Sequence, residues 1–278
     1  MSSPRDVERA RTYPRFTASV RIQHALMAIS FLVLTVTGLP QKYIYVNSDF
    51  LDAIMGLLGG IESVRIQHRI AATVLMLVTV YHLMEVAYRV LVSRVRLSMM
   101  PRFQDAVDAL RRVRYNLGLV PTPPRTDRFT WEEKVEYWSL LWGTVIMIGT
   151  GFMLWNPIAT ARFLPGQFIP VAQVVHGGEA LLAILAVVVW HFYAVHVRQW
   201  NRSMFTGELS EREMVEEHPL DLERIEAGTN DHAVDPRKLA RRRRWFLPVA
   251  SVVTAALLAG IYWFVTFEQT AITTLASP

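Results

Sequence analysis

Five stretches of this chain, at about residues 22–40, 68–92, 137–156, 172–197 and 245–267, are mainly apolar and each is long enough to cross a bilayer as a helix. A rise of about 1.5 Å per residue carries roughly 20 such residues across the ~30 Å hydrocarbon core. Inside lipid every backbone hydrogen bond must be made within the protein, which leaves helices or a closed barrel. Segments of this length fit helices. The expected fold is therefore an all-α integral membrane protein with five crossings. Composition agrees, since 52% of the 278 residues are hydrophobic, only 19% are charged, and the charges lie between the apolar blocks. Residues 1–21 are polar and Arg-rich, and the first apolar block is long enough to remain as a span, so no cleaved leader is expected.

The distribution of Arg and Lys sets an orientation. Arg5, Arg9, Arg11, Arg15 and Arg21 precede the first span, Arg89 through Lys134 crowd the connection between spans two and three, and Arg198 through Arg244 fill that between four and five. These three regions are expected to be cytoplasmic, because basic residues beside spans are retained on that side. The other loops hold little beyond Lys42, Arg65 and Arg162, so the C-terminus is expected on the periplasmic or extracellular face of the inner membrane. The net charge of +5 then reflects a partnership with membrane lipid, and no nucleic-acid partner is expected. The expected organisation is a cytoplasmic segment 1–21, a four-helix membrane domain 22–200 with a cytoplasmic loop at about 93–136, a cytoplasmic linker 201–244, and a fifth span with an outer tail at 245–278.

Within the second connection, Phe103, Ala106, Val107, Leu110 and Val113 recur at helical spacing, with Arg111, Arg112 and Arg114 mostly on other faces. That pattern fits a helix on the membrane surface or one packed on protein. Pro121, Pro123 and Pro124 mark a break before span three. Ser210 and Glu213 have capping-box spacing ahead of the acidic run Glu216, Glu217, Asp221, Glu223 and Glu226, which reads chiefly as a solvated face and alternatively as a docking surface.

The chain has no cysteine, which excludes thiolate-held iron–sulfur clusters, c-type haem attachment, disulfides and thiol catalysis. Of its eight histidines, six fall in or at the ends of the spans: His24, His68, His82, His176, His191 and His196. Ionisable residues at membrane depth are costly, and six at compatible depths point to ligands. His68 and His176 begin spans two and four, which start on the same side, so they lie at similar depth. His191 lies 15 residues along span four, roughly 22 Å deeper, at the end where His24 opens span one. Two imidazole nitrogens and an apolar slot between facing helices are what a b haem needs, so two haems stacked across the membrane are expected. His82 is the alternative to His24. It lies 14 residues beyond His68, within roughly 40° of the same helical line and at a depth that does not separate it from His24. His196, five residues past His191, points roughly 140° away on an α-helix. Gly177 and Gly178 give room for a ring or for helix packing. The pentapeptide Val-Arg-Ile-Gln-His occurs at Val20 to His24 and at Val64 to His68, placing Arg21 and Arg65 three residues before a histidine. Each Arg is either a haem-propionate partner or an interface anchor.

The run Arg15-Phe16 to Pro40, with Arg21, His24, Phe31, Thr37-Gly38 and Pro40, resembles the first helix of the cytochrome b subunits of formate dehydrogenase and nickel–iron hydrogenase. The resemblance continues through His68-Arg69-Ile70, Tyr137-Trp138 to Gly151, Trp155-Asn156-Pro157, His176, and His191-Phe192-Tyr193. Met204-Phe205-Thr206-Gly207 and Glu217-His218-Pro219 are similar to that family's cytoplasmic tail. It implies a four-helix dihaem cytochrome b bundle, to which this chain adds a fifth C-terminal transmembrane helix. It also implies His24 with His191 at the inner haem and His68 with His176 at the outer one. A quinone site is implied near the loop entering span three, where Thr130 and Glu133 are the expected contacts, although that loop departs from the family's amide-containing pattern. No catalytic residue of a substrate half-reaction is expected in this chain. The partner implied is a redox subunit at the outer face, either a multihaem cytochrome c or an iron–sulfur protein. A stand-alone transmembrane haem b reductase or oxidase is the alternative, and a haem-free anchor or a transporter belongs to a different class; a haem protein purifies red and an anchor does not.

Overall fold

The computed structural model describes residues 11–229 and 235–267; Arg5, Arg9 and the tail beyond Phe267 lie outside them. All five apolar stretches are helical, and each helix begins before its apolar block. In chain order the helices are α1 (Ala18–Lys42), α2 (Asp49–Leu57), α3 (Gly60–Leu91), α4 (Phe103–Asn116), α5 (Trp131–Trp155), α6 (Pro157–Phe163), α7 (Phe168–Leu185), α8 (Ser203–Thr206), α9 (Glu211–Glu217), α10 (Pro219–Glu226) and α11 (Pro236–Thr266). The spans are α1, α3, α5, α7 with its continuation to Arg198, and α11. They make this a multi-pass helical membrane protein. Two short strands, β1 (Thr12–Pro14) and β2 (Glu208–Ser210), pair antiparallel with Tyr13 opposite Leu209.

The chain divides into two units. One comprises Gln23–Val86, Leu140–Tyr193 and Trp245–Pro278, and the other Met1–Ile22, Ala87–Ser139 and Ala194–Arg244.

The first unit is apolar on the outside. On α1 the buried residues are Gln23, Ser30, Thr37 and Pro40, while Leu26, Ile29, Leu32 and Val36 are exposed. Small and polar residues inside with large aliphatic ones outside is the arrangement of a helix whose solvent is lipid. The third span ends at Trp155, where Asn156 leads into Pro157 at the first turn of α6, the position that a helix tolerates in proline. At that end the fifth span packs through aromatics: Trp263 stacks on Phe152 with ring centres 5.7 Å apart, and Phe264 lies edge-on to Trp155 at 4.9 Å.

Beyond Leu185 the fourth span is wound as π-helix over Ala186–His191 and Tyr193–Arg198, with the Phe192 amide donating to the Val187 carbonyl five residues back. The angular step of an α-helix does not apply to that wider wind, so the 140° expected between His191 and His196 is not the local geometry.

The second unit is held by charge. Tyr13, Leu209, Met214 and Leu222 form a small apolar core beneath the β1–β2 ribbon. Around it, Arg15, almost wholly buried, pairs with Glu133 at 3.1 Å and bonds the Arg128 carbonyl, and Arg128 returns a bond of 2.8 Å to the Arg15 carbonyl. Asp221 is 2% exposed and pairs with Arg224 at 2.9 Å and with Arg128 at 3.6 Å. Asp127 accepts from Arg96 at 2.7 Å and from Arg224. Burial pushes the Asp127 carboxyl up, but the bonds from Arg224, Arg96 and the Arg128 amide outweigh it and hold it well below the usual carboxylate range. His218 is buried with its Nδ1 at 2.9 Å from the Asp127 carbonyl, and burial, with the Arg15 charge, lowers its pKa.

The acidic run is a solvated face at Glu216, Glu223 and Glu226, which are exposed, and is engaged in the protein at Asp221, which is buried. Ser210 and Glu213 do form a reciprocal capping box. Of the run itself, Asp221, Glu223, Glu217 and Glu226 meet Arg128, Arg125, Arg198 and Arg11, while Glu216 pairs with Arg212 and Asp221 also with Arg224 inside their own helices. The basic partners come from distant segments, which one stretch of sequence does not show.

In the same unit α4 is a helix with its polar residues engaged and its apolar residues out. Asp105 pairs with Lys134 at 2.6 Å and Arg112 with Glu132 at 3.8 Å, whereas Phe103, Leu110 and Val113 are exposed.

Candidate functional site: two histidine pairs

In the first unit four of the six span histidines meet in two pairs. The rings of His24 on α1 and His191 in the π-helical stretch have centres 6.2 Å apart, and those of His68 on α3 and His176 on α7 have centres 6.4 Å apart. A metal bonded to one nitrogen of each imidazole at about 2.0–2.1 Å, between two facing rings, sets the ring centres roughly 6 Å apart. Each pair therefore has the spacing of a bis-imidazole iron site, and a b haem fits the donor set.

The His68/His176 pair is supported in a repeated way. Thr37 Oγ1 lies 2.9 Å from His68 Nδ1, and Thr150 Oγ1 lies 2.9 Å from His176 Nδ1. Each threonine is followed by a glycine against the same ring. A Cβ at Gly38 would meet His68 Cε1 at 3.2 Å, and one at Gly151 would meet His176 Cε1 at 3.5 Å. At Gly177, beside His176, the Lys42 ammonium lies 2.6 Å from where a Cβ would stand. A Cβ on Gly178 would meet nothing within 4 Å.

His82 bonds a glutamine beside His24. Its Nδ1 lies 3.0 Å from Gln23 Oε1, and the Gln23 amide donates to Glu85, so a buried glutamine next to His24 joins His82 to Glu85. His196 packs edge-on against Trp200 at 5.8 Å.

The remaining residues singled out by sequence have protein partners. Arg21 donates to the Thr206 carbonyl at 2.8 Å, and its guanidinium fills the space beside Gly207, whose φ of +87° suits glycine. Arg65 pairs with Glu62 at 3.1 Å on an exposed face. Thr130 and Glu133 cap α5 reciprocally: the Thr130 amide donates to Glu133 Oε2 at 2.7 Å, and the Glu133 amide to Thr130 Oγ1 at 3.2 Å. The other Glu133 oxygen accepts from Arg15.

Sequence reasoning assigned no role to Thr37, Thr150, Gln23 or Lys42. A Thr-Gly pair on two different spans was the available signal for the first two.

Paired histidines within a five-span helical bundle define the class: a membrane cytochrome b that serves as an electron-transfer subunit. The chain belongs to the prokaryotic cytochrome b561 family, whose model matches residues 15–207. Among curated proteins it is similar to the cytochrome b556(Fdo) subunit of formate dehydrogenase from Escherichia coli, 23% identical over 216 residues that cover 77% of this chain and 93% of the relative. It is also similar to the cytochrome b556(Fdn) subunit of the nitrate-inducible formate dehydrogenase of the same bacterium, 24% identical over 98 residues. That match spans 34% of this chain and less than half, 45%, of the relative.

Proposed function

We propose that this chain binds two b haems, one between His24 and His191 and one between His68 and His176, and carries electrons between a quinone and a redox partner subunit. The observation that carries the proposal is the pair of ring separations, each fitted to one iron, in a chain of a cytochrome b family. Haem bound there supplies reversible one-electron chemistry, which links a two-electron quinone to a one-electron partner. The histidines hold the iron, and lipid-facing Leu, Ile and Val keep water from it. In this reading the His24/His191 site is the inner one, the His68/His176 site the outer one, and the partner is an iron–sulfur or multihaem cytochrome c subunit at the outer face. The relatives, each a cytochrome b subunit of a formate dehydrogenase, support a redox partner, and its type and face are part of the proposal.

The orientation proposed places the chain in the inner membrane with its N-terminus in the cytoplasm and the C-terminal end outside, on the distribution of Arg. The outward apolar residues of α4 then rest on lipid. Reporter fusions after Arg114 and after Pro278 are expected to behave oppositely; like behaviour at both ends this assignment.

Quinone is proposed to act beside Thr130 and Glu133. Because glutamine serves a capping box as well as glutamate does, Glu133→Gln keeps the α5 cap and removes the charge. It is expected to slow quinone-driven haem oxidation about tenfold or more, at unchanged haem content, when the complex purified from native membranes is mixed with quinone. An unaltered rate places the quinone elsewhere. Identifying the subunits that copurify tests the partner in the same preparation, and isolation of the chain alone with full quinone activity contradicts it.

A further inference from the structure

We infer that Thr37 and Thr150 are positioning residues for the His68/His176 haem, fixing the tautomer of each ligand and setting how strongly it donates to the iron. The inference rests on the reading of His68 and His176 as ligands.

The proton count decides the direction of each bond. A threonine hydroxyl has one proton, and Thr37 gives it to the Val33 carbonyl at 2.6 Å while Thr150 gives it to the Ile146 carbonyl at 2.7 Å. Each oxygen then accepts from the histidine, so Nδ1 carries the hydrogen and Nε2 keeps its lone pair. That is the tautomer needed for Nε2 to bind a metal. Metal-bound histidines generally donate their second N–H to an outer partner that orients the ring and raises its basicity. Here the partner is a neutral hydroxyl whose own bond to a backbone carbonyl makes it a better acceptor without making it an anion.

The framework is rigid. Thr37 is 1% exposed on α1 and Thr150 lies on α5, whereas the histidines lie on α3 and α7, so four spans converge on one site. Gly38 lets His68 lie where any side chain would force it back by a few tenths of an ångström, and Gly151 lets His176 lie at ordinary contact.

Thr37→Val and Thr150→Val keep the shape and remove the hydroxyl acceptor, though His176 also bonds the Met147 backbone, so the smaller shift is expected at Thr150. Potentiometric titration of haem absorbance and electron paramagnetic resonance of the ferric haems, on the purified full-length protein, are the readouts. Each valine variant is expected to raise the midpoint potential of the haem that His68→Ala removes, because the imidazole becomes a poorer donor to ferric iron, and to move its g-values while the other haem stays put. Serine at either position restores both. Thr144→Val is the control, since Thr144 makes the same bond to the carbonyl four residues back, at 2.7 Å to Leu140. Thr150 is only half-buried and repeats the test where packing is looser, should valine at 37 hinder folding. Wild-type potentials and g-values in both valine variants, an equal shift of the two haems, or failure of serine to rescue overturns the inference. Retention of both haems in His68→Ala instead overturns the ligand reading beneath it.

Discussion

Replacing His24 by alanine is expected to halve the haem content and abolish quinone-driven haem oxidation while the other haem keeps its spectrum; replacing His82 by alanine is expected to keep both haems. The sequence leaves the two histidines as rivals, since both lie toward the same side of the membrane. Their partners differ in the structure. The His24 ring faces His191 at the separation that an iron requires, whereas His82 offers its Nδ1 to Gln23. With the imidazole opposite His191 removed, that site would lack one of its two nitrogen donors. The Gln23 link to His82 and Glu85 lies one residue from His24, so His82→Ala is expected to alter that haem's surroundings without removing it. Loss of haem in His82→Ala with retention in His24→Ala would make this a two-helix, four-histidine site.

Asp221→Ala is expected to destabilise the charged unit by on the order of 2–3 kcal/mol, because it removes a buried carboxylate and leaves Arg128 and Arg224 facing each other; both are partly exposed, which limits the cost. Limited proteolysis or amide exchange of residues 203–226 reads the change, with the haem spectrum unaltered. Wild-type protection would show that the network contributes little. The same segment is expected to loosen in acid. His218 faces Arg15, Glu133 and Glu217 and has a lowered pKa, so its contribution is whole above its ordinary value of 6.5 and declines as pH falls below it. Asp127 has a lowered carboxyl, so its contribution persists through that range and is lost only as pH falls below the usual carboxylate range.

What could be read in advance follows from the range of each interaction. The spans were legible because a run of about twenty apolar residues fits a bilayer crossing, and the His68/His176 pair because depth depends on residue count along a helix, whereas depth left His24 and His82 as rivals for His191 and the resemblance favoured His24. The β1–β2 ribbon was not, since three residues at 12–14 carry no strand signal until Glu208–Ser210 lies beside them. Nor was the π-helical wind after Leu185, which a run of Ala and Val does not announce. The ion pairs of the acidic run were not legible because Arg128, Arg125 and Arg11 stand far from Asp221, Glu223 and Glu226 in the sequence. Arg21 and Arg65 stand at matching positions of a repeat that allows a propionate partner or an interface anchor, and their protein partners, the Thr206 carbonyl and Glu62, are not written in that repeat. Thr37 and Thr150 went unread because a threonine in a membrane helix usually bonds its own backbone, and these two do that as well as meeting a histidine.

The central claim is that four histidines hold two irons. A pyridine haemochrome assay against protein mass on the purified chain measures it most directly. The account predicts two b haems per chain; a ratio of one or none contradicts it.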